Sequence, residues 1–337
     1  MPRKARIDAP GAVQHIIIRG IERKNIFRDT IDKDTFIERF GKVVIQTSTS
    51  CYAWVLMDNH AHLLLRTGQV PIATLMRRLL TGYAQYFNRR HKRHGQLFQN
   101  RYKSFLCEED IYLLELVRYI HLNPVRADII QGLEALNRFK YSGHAVLMGK
   151  LDHPWQDCDY ILNRFGHTEE KAREEYLKFI IKGKNQGRRP ELVGGGLLRS
   201  VGGWSALKTM RSSNVRVKGD ERILGTSEFV EKVLKQANER LELQETYKTR
   251  GITFDNLIDR VADHFDVTSS DLKTNSKAVP ISKARAVLCY LCVRKLRLSG
   301  AKVACRLNLS PSTVSKAVSR GRKSVGKEGI DICLFKS

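Results

Sequence analysis

Residues 51–66, CYAWVLMDNHAHLLLR, place two apolar runs on either side of Asp58-Asn59. Such runs around an Asp-Asn pair predict a β-hairpin. His60 and His62 then lie two apart on its second strand and share one face, while Ala61 points to the other. Two imidazoles on one face can converge on a single cation. Two histidines beside a turn are equally what an ordinary surface or core arrangement gives, so the pair needs a partner. Outward from the hairpin, VQHIIIRG (13–20) is short and β-branched, and DKDTFIERFGKVVIQ (32–46) has helical apolar spacing with Asp32 as its cap. After the hairpin, PIATLMRRLLTGYAQYFNRRHKRHG (71–95) predicts a long amphipathic helix ending at Gly95, with a basic last turn that suits the helix dipole. FQNRYKSFLC (98–107) predicts another strand, and EEDIYLLELVRYIHLN (108–123) a helix stopped by Pro124. The alternation predicts an α+β domain with an antiparallel sheet and helices packed on it.

The partner for the histidines is the helix before Pro124. Tyr119 and Asn123 lie four apart and share a face, so a phenol could attack while an amide oxygen supplies a third ligand. Among Leu116, Val117, Ile120 and Leu122, Tyr119 also fits an ordinary core aromatic. Tyr83 and Tyr86 are rival nucleophiles on the preceding basic helix, where packing or base stacking is the commoner use of tyrosine. His121 is expected on a different side of its helix, at the surface or facing DNA.

Lys and Arg total 59 against 35 Asp and Glu, a formal net charge of +24. That excess points to a polyanionic partner, nucleic acid first. Arg89, Arg90, Lys92 and Arg93, with Arg101 and Lys103, interleave with Tyr86, Phe87 and Tyr102, the mixture that grips a single-stranded backbone and stacks bases. Arg23, Lys24 and Arg28 extend the same expectation. The first fifteen residues lack the apolar core of a signal peptide, and no stretch approaches the ~20 apolar residues of a membrane span, so the expected location is the cytoplasm, in association with the nucleoid. Seven scattered cysteines, Cys51, Cys107, Cys158, Cys289, Cys292, Cys305 and Cys333, are an odd set without a disulfide framework. Cys289 and Cys292 sit in the apolar run AVLCYLCV and read as buried small residues rather than a zinc site.

MDNHAHLLL (57–65), GYAQYFNRRHKRHGQLFQNRYKS (82–104) and VRYIHLNPVRA (117–127) together resemble the HUH single-tyrosine transposases, especially the REP-associated tyrosine transposases, over residues 8–130. The resemblance implies a ferredoxin-like HUH endonuclease sandwich. It implies further that His60 and His62 bind a divalent metal, that Tyr119 attacks DNA to leave a 5′-phosphotyrosine link, and that Asn123 is the third ligand. Ala61 stands where the family commonly has a bulkier apolar residue, a small departure. The chemistry asks for these residue types, because a phenol is mostly neutral at pH 7 and needs a cation or a base to activate it. Mg or Mn would suit, and imidazole also suits Zn. No GxxxxGK[ST] loop is present, which agrees with strand exchange that needs no nucleotide cofactor.

Toward the C-terminus, TFDNLIDRVADHF, KARAVLCYLCVRKL, GAKVACRLN and SPSTVSKAVSRGRK follow one another as helices. Val303 and Ala304, a turn at residues 308–310, Ser310 as cap and Pro311 in the next first turn form a helix-turn-helix pattern. Ser312, Thr313, Ser315, Lys316 and Arg320 would face duplex DNA, with Val314 and Val318 inward. Residues 250–323 resemble the C-terminal DNA-binding domain of the initiator DnaA. Pro311 replaces that family's usual histidine, which puts its particular base contacts in doubt, and none of its ATPase region is present.

The expected organisation is therefore a catalytic domain at 1–150, a glycine-rich basic connector at 151–224, a separate all-α DNA-binding domain at 225–325 and a tail at 326–337. The expected activity is a metal-dependent transposase and single-strand endonuclease. It would act on single-stranded or hairpin DNA, be addressed to duplex sites by its helix-turn-helix, and leave a homodimer open. Two other readings fit the same text: a non-cutting DNA-binding regulator derived from a transposase, and a relaxase, whose usual motif order differs.

Overall fold

The computed structural model describes residues 11–68, 70–187, 222–236, 252–274, 276–296 and 298–330, together with Ile7, Arg189, Leu192 and Asp220. The chain divides into two compact units, Met1–Val233 and Leu234–Ser337.

In the first unit β1 (Val13–Arg19), β2 (Ser50–Met57), β3 (His60–Arg66), β4 (Lys103–Cys107) and β5 (Ile223–Leu224) form one sheet in the order β2-β3-β1-β4-β5. The first four strands pair antiparallel, as expected. The two-residue strand β5 departs from that expectation by pairing parallel to β4. Strand alternation sorts the side chains between two cores. Ile16, Ile18, Ala61, Leu63 and Leu65 join a core with α1 (Thr30–Thr47) and α2 (Ile72–Arg90). Val13, Val55 and Leu64 join the opposite core with α3 (Glu109–Arg126). The His60-His62 face is thereby the α3 face, and Ala61 points the other way.

Three local expectations change. The cap of α1 is Asp29, whose carboxylate accepts the Asp32 N–H; Asp32 lies inside the first turn, buried, where it accepts from the Arg28 N–H at 2.9 Å. Helix α2 stops at Arg90, before Gly95. Helix α3 runs through Pro124 to Arg126. A proline deprives the carbonyl four residues back of its partner, here that of Ile120. Asn123 Nδ2 lies 3.5 Å from that oxygen and 2.9 Å from Tyr119 O, which partly replaces the missing donor.

The expected connector at 151–224 is in part folded. α4 (Gly132–Arg138), α5 (Gly143–Leu147), α6 (Cys158–Leu162) and α7 (Glu169–Lys182) follow α3, and Ile161, Leu162, Ala172, Tyr176 and Ile180 are buried in the core beneath it. The glycine clusters at 193–219 lie outside the described residues.

The second unit is helical, as expected. The helix Phe254–His264 begins at Thr253, whose side chain accepts the Asn256 N–H. Val279–Tyr290 follows and continues as one π turn, Leu291–Lys295. Gly300–Arg306 and Pro311–Glu328 form the helix-turn-helix, with Asn308 at φ 53° in the turn and Ser310 accepting the Thr313 N–H. The last helix extends to Glu328, Gly329 at φ 62° caps it, and Ile330 is buried, so the expected tail at 326–337 begins as ordered structure. Gly321 is required where that helix crosses Val279–Tyr290, because a Cβ there would lie 2.0 Å from the Ala286 carbonyl oxygen. Cys289 and Cys292 are fully buried and free, and burial pushes the Cys289 thiol up to about 12. Among the described residues no helix is long and apolar enough to cross a membrane.

Candidate active site

The sheet brings His60 and His62 together on one face, with ring centroids 5.1 Å apart. Helix α3 lays Tyr119 edge-on against His62 at 5.8 Å and against His15 of β1 at 6.1 Å. His15 and His62 are diagonal neighbours on the β1-β3 ladder, since His62 pairs with Ile17 and His15 with Leu64. Their rings stack at 5.2 Å, and His15 Nε2 lies 2.9 Å from His62 Nδ1. His60 Nδ1 lies 2.6 Å from Asn59 Oδ1.

Burial sets the electrostatics. His62 is 4% exposed, and burial, reinforced by the neighbouring His15 and His60, holds its pKa well below the usual imidazole value. His60 is lowered to about 4, first by burial and then by Arg19, with Asp58 opposing. Both imidazoles are therefore neutral at pH 7, the form that ligates a metal. Asn123 turns its amide nitrogen to backbone carbonyls of its own helix, which leaves its oxygen as the end available to a ligand. Among the described residues no group of three or more His, Cys, Asp or Glu side chains could hold a metal.

Sequence reasoning missed four neighbours. His15 and Arg19 were legible only through strand register, Arg19 being the ladder partner of His60, and Asn59 directly precedes His60 in the turn. Arg126, seven residues after Tyr119, places its guanidinium 5.6 Å from the centre of the tyrosine ring and donates from Nη2 to Gly183 O at 3.2 Å.

The rivals separate from the site. Tyr83 is fully buried and donates to Ile26 O at 2.6 Å, and burial raises its phenol far above the usual value. Tyr86 is half-buried with the Arg39 guanidinium 5.7 Å from its ring. His121 is not at the surface. It is fully buried with Nδ1 2.8 Å from Tyr176 Oη, which also lies 2.8 Å from His144 Nδ1. This network ties α7 to the helix that carries Tyr119.

The expected DNA-facing residues divide as well. Arg89, Lys92, Arg101 and Lys103 are exposed. Arg90 instead bonds Asp32 Oδ1 at 2.6 Å and Asp29 at 2.8 Å, joined by His91 at 2.8 Å from Asp32 Oδ2, so it clamps α2 to the start of α1 rather than presenting a free cation. Arg93 is half-buried and donates to Asn88 Oδ1 and Gln96 O. In the second unit Ser312, Ser315, Lys316 and Arg320 are exposed while Val314 and Val318 are buried. Thr313 is half-buried, with its hydroxyl 2.8 Å from Ser310 Oγ, and Arg320 lies 3.3 Å from Ser282 Oγ.

No curated protein matches the chain. A solved structure described as a REP-associated tyrosine transposase bound to a REP hairpin is similar over 47% of this chain and 93% of its own, at 17% identity and a TM-score of 0.37. Two family models match, and they divide the chain as its two units do: the first unit is similar to IS200-like transposases over residues 10–123, a span that holds His60, His62, Tyr119 and Asn123, and the second to the bacterial DnaA helix-turn-helix over residues 254–320.

Proposed function

We propose that this protein is a DNA transposase that cuts and rejoins strands through a 5′-phosphotyrosine intermediate. The observation that carries the reading is Tyr119 set edge-on against His62, two residues from different elements that the IS200-like match also spans. The Tyr119 phenol oxygen forms a bond to the scissile phosphorus as the bond to the 3′-oxygen breaks. The phenol loses its proton and the departing 3′-oxygen gains one, so the step is balanced. The ester keeps the bond's energy, and attack by a 3′-hydroxyl reverses it without a nucleotide cofactor.

The neutral imidazoles of His60 and His62 and the amide oxygen of Asn123 suit a divalent cation, Mg or Mn, with Zn open to the same imidazoles. When bound, such an ion supplies charge stabilisation at the phosphate oxygens. Arg89, Lys92, Arg101, Lys103 and Arg19 are the exposed cations that would follow single-stranded or hairpin DNA. The helix Pro311–Glu328 would address duplex sites through Ser312, Ser315, Lys316 and Arg320.

The test is covalent capture. The full chain, Mg or Mn and single-stranded or hairpin oligonucleotides from the gene's flanks should yield a protein-DNA adduct stable to denaturation. Tyr119→Phe should abolish the adduct and leave binding unchanged. An adduct formed by the phenylalanine variant would reject Tyr119 as nucleophile, and binding without any adduct in the native protein would favour the non-cutting regulator.

A further inference from the structure

We infer that Asn59 and His15 are positioning residues for His60 and His62, each bonding to Nδ1 of its ring so that both rings offer Nε2 to one cation. This rests on the reading that His60 and His62 hold a cation.

A neutral imidazole carries one N–H and one lone pair, and whichever nitrogen is held as a donor leaves the other to bind metal. For His60 the choice is made by Asn59. Asn59 Nδ2 donates to Arg23 O at 3.1 Å, and the Asn59 carbonyl accepts the Gly20 N–H at 2.9 Å. With its nitrogen committed, the Asn59 amide presents Oδ1 to His60 Nδ1, and an amide oxygen only accepts. His60 Nδ1 therefore carries the proton and Nε2 the lone pair. The loop that supplies Arg23 O holds Glu22 and Arg23 in succession at φ 53° and 61°, a conformation disfavoured for non-glycine residues. The strain stands at the carbonyl that orients Asn59.

For His62 the partner is His15. Both are buried, and with 2.9 Å between His15 Nε2 and His62 Nδ1 one of the two nitrogens donates and the other accepts. If His15 donated, His62 would carry its own proton on Nε2 and could not ligate there. Cation binding through Nε2 selects the opposite state, with His62 Nδ1 donating to His15 Nε2. The two ligands thus have separate outer partners, an amide in the β2-β3 turn and a third histidine on β1.

The experiment measures Mn²⁺ affinity of the full-length protein by titration with paramagnetic resonance detection, in the absence of DNA, beside thermal melting of each variant. His60→Ala and His62→Ala should remove the site. His15→Ala and Asn59→Ala should each weaken Mn²⁺ by about 10-fold to 100-fold, the range for lost outer partners. His15→Gln and Asn59→Asp keep an oxygen acceptor for the Nδ1 proton and should recover most of that loss. If His15→Ala and Asn59→Ala bind Mn²⁺ as the native protein does while the His60 and His62 variants do not, the positioning role is overturned and the cation reading stands. Folded His15→Gln and Asn59→Asp variants as weak as the alanines would also overturn it, because packing alone would then explain the loss. Native affinity in His60→Ala and His62→Ala would overturn the cation reading and the inference together.

Discussion

The two units use polar side chains in opposite ways. In the first, several polar groups are taken out of water: His15, His62, Asp32, His121 and His144 are all buried, and each bonds to a partner from a distant part of the chain. In the second, the candidate DNA-reading residues stand on the outer face of one helix over a core of Leu257, Ile258, Val261, Val287, Leu288, Val303, Leu307, Val314 and Val318. A buried polar site is preorganised and intolerant of a missing partner, whereas an exposed helical face loses one contact at a time. The contrast teaches that equal formal charge in sequence has unequal meaning in the fold.

Arg89 and Arg90 break or sustain that contrast most directly. Arg90→Ala leaves the fully buried Asp32 carboxylate without its guanidinium partner and should lower first-unit stability well beyond any effect of Arg89→Ala. Arg89→Ala removes an exposed cation and should stay within about 0.5 kcal/mol while weakening DNA binding. Denaturant titration of both variants checks the pair, and similar losses of stability would end the distinction.

Acid comes next. The folded pKa values of His60 and His144 are about 4 and about 3, and those of His62 and His121 are also lowered by burial, against a usual imidazole value of 6.5. A depressed histidine is neutral when folded, so the unfolded chain binds more protons once pH falls below about 6.5. First-unit stability should be full above that value and decline as pH drops toward 4. The second unit's core is dominated by aliphatic side chains and should respond less in that window. Melting followed between pH 7.5 and 4.5, with hydrogen exchange to assign each unit, measures the difference; equal acid sensitivity of both would refute it.

The smallest effect belongs to the outer face of the last helix. Lys316→Ala should lower duplex affinity severalfold, reduce the salt slope by about 1 and leave stability and single-strand adduct formation alone. Filter binding across a salt series decides it, and an unchanged slope would remove Lys316 from the phosphate contacts.

Much of this was legible along the chain. The Asp58-Asn59 turn and the period of two placed His60 and His62 on one face, and the Ser310 cap with Pro311 placed the start of the last helix. Pro124 misled, because the local rule that ends helices at proline takes no account of Asn123 Nδ2 reaching back to the Ile120 carbonyl. His121 misled for a different reason. Its helical neighbours do not reveal that Tyr176, from a segment read as connector, closes over it.

The sequence by itself determined the hairpin, the shared face of its two histidines, the helix bearing Tyr119 and the capped helix-turn-helix, because backbone periodicity and capping are decided within a few residues. Only the tertiary structure decided that Tyr119 meets His62, that His15 and Asn59 hold the two imidazoles, and that Arg90 is clamped while Arg89 is exposed. Those outcomes depend on which long-range partner removes a polar group from water, and a buried charge or ring nitrogen takes whichever partner the packed strands and helices bring within reach.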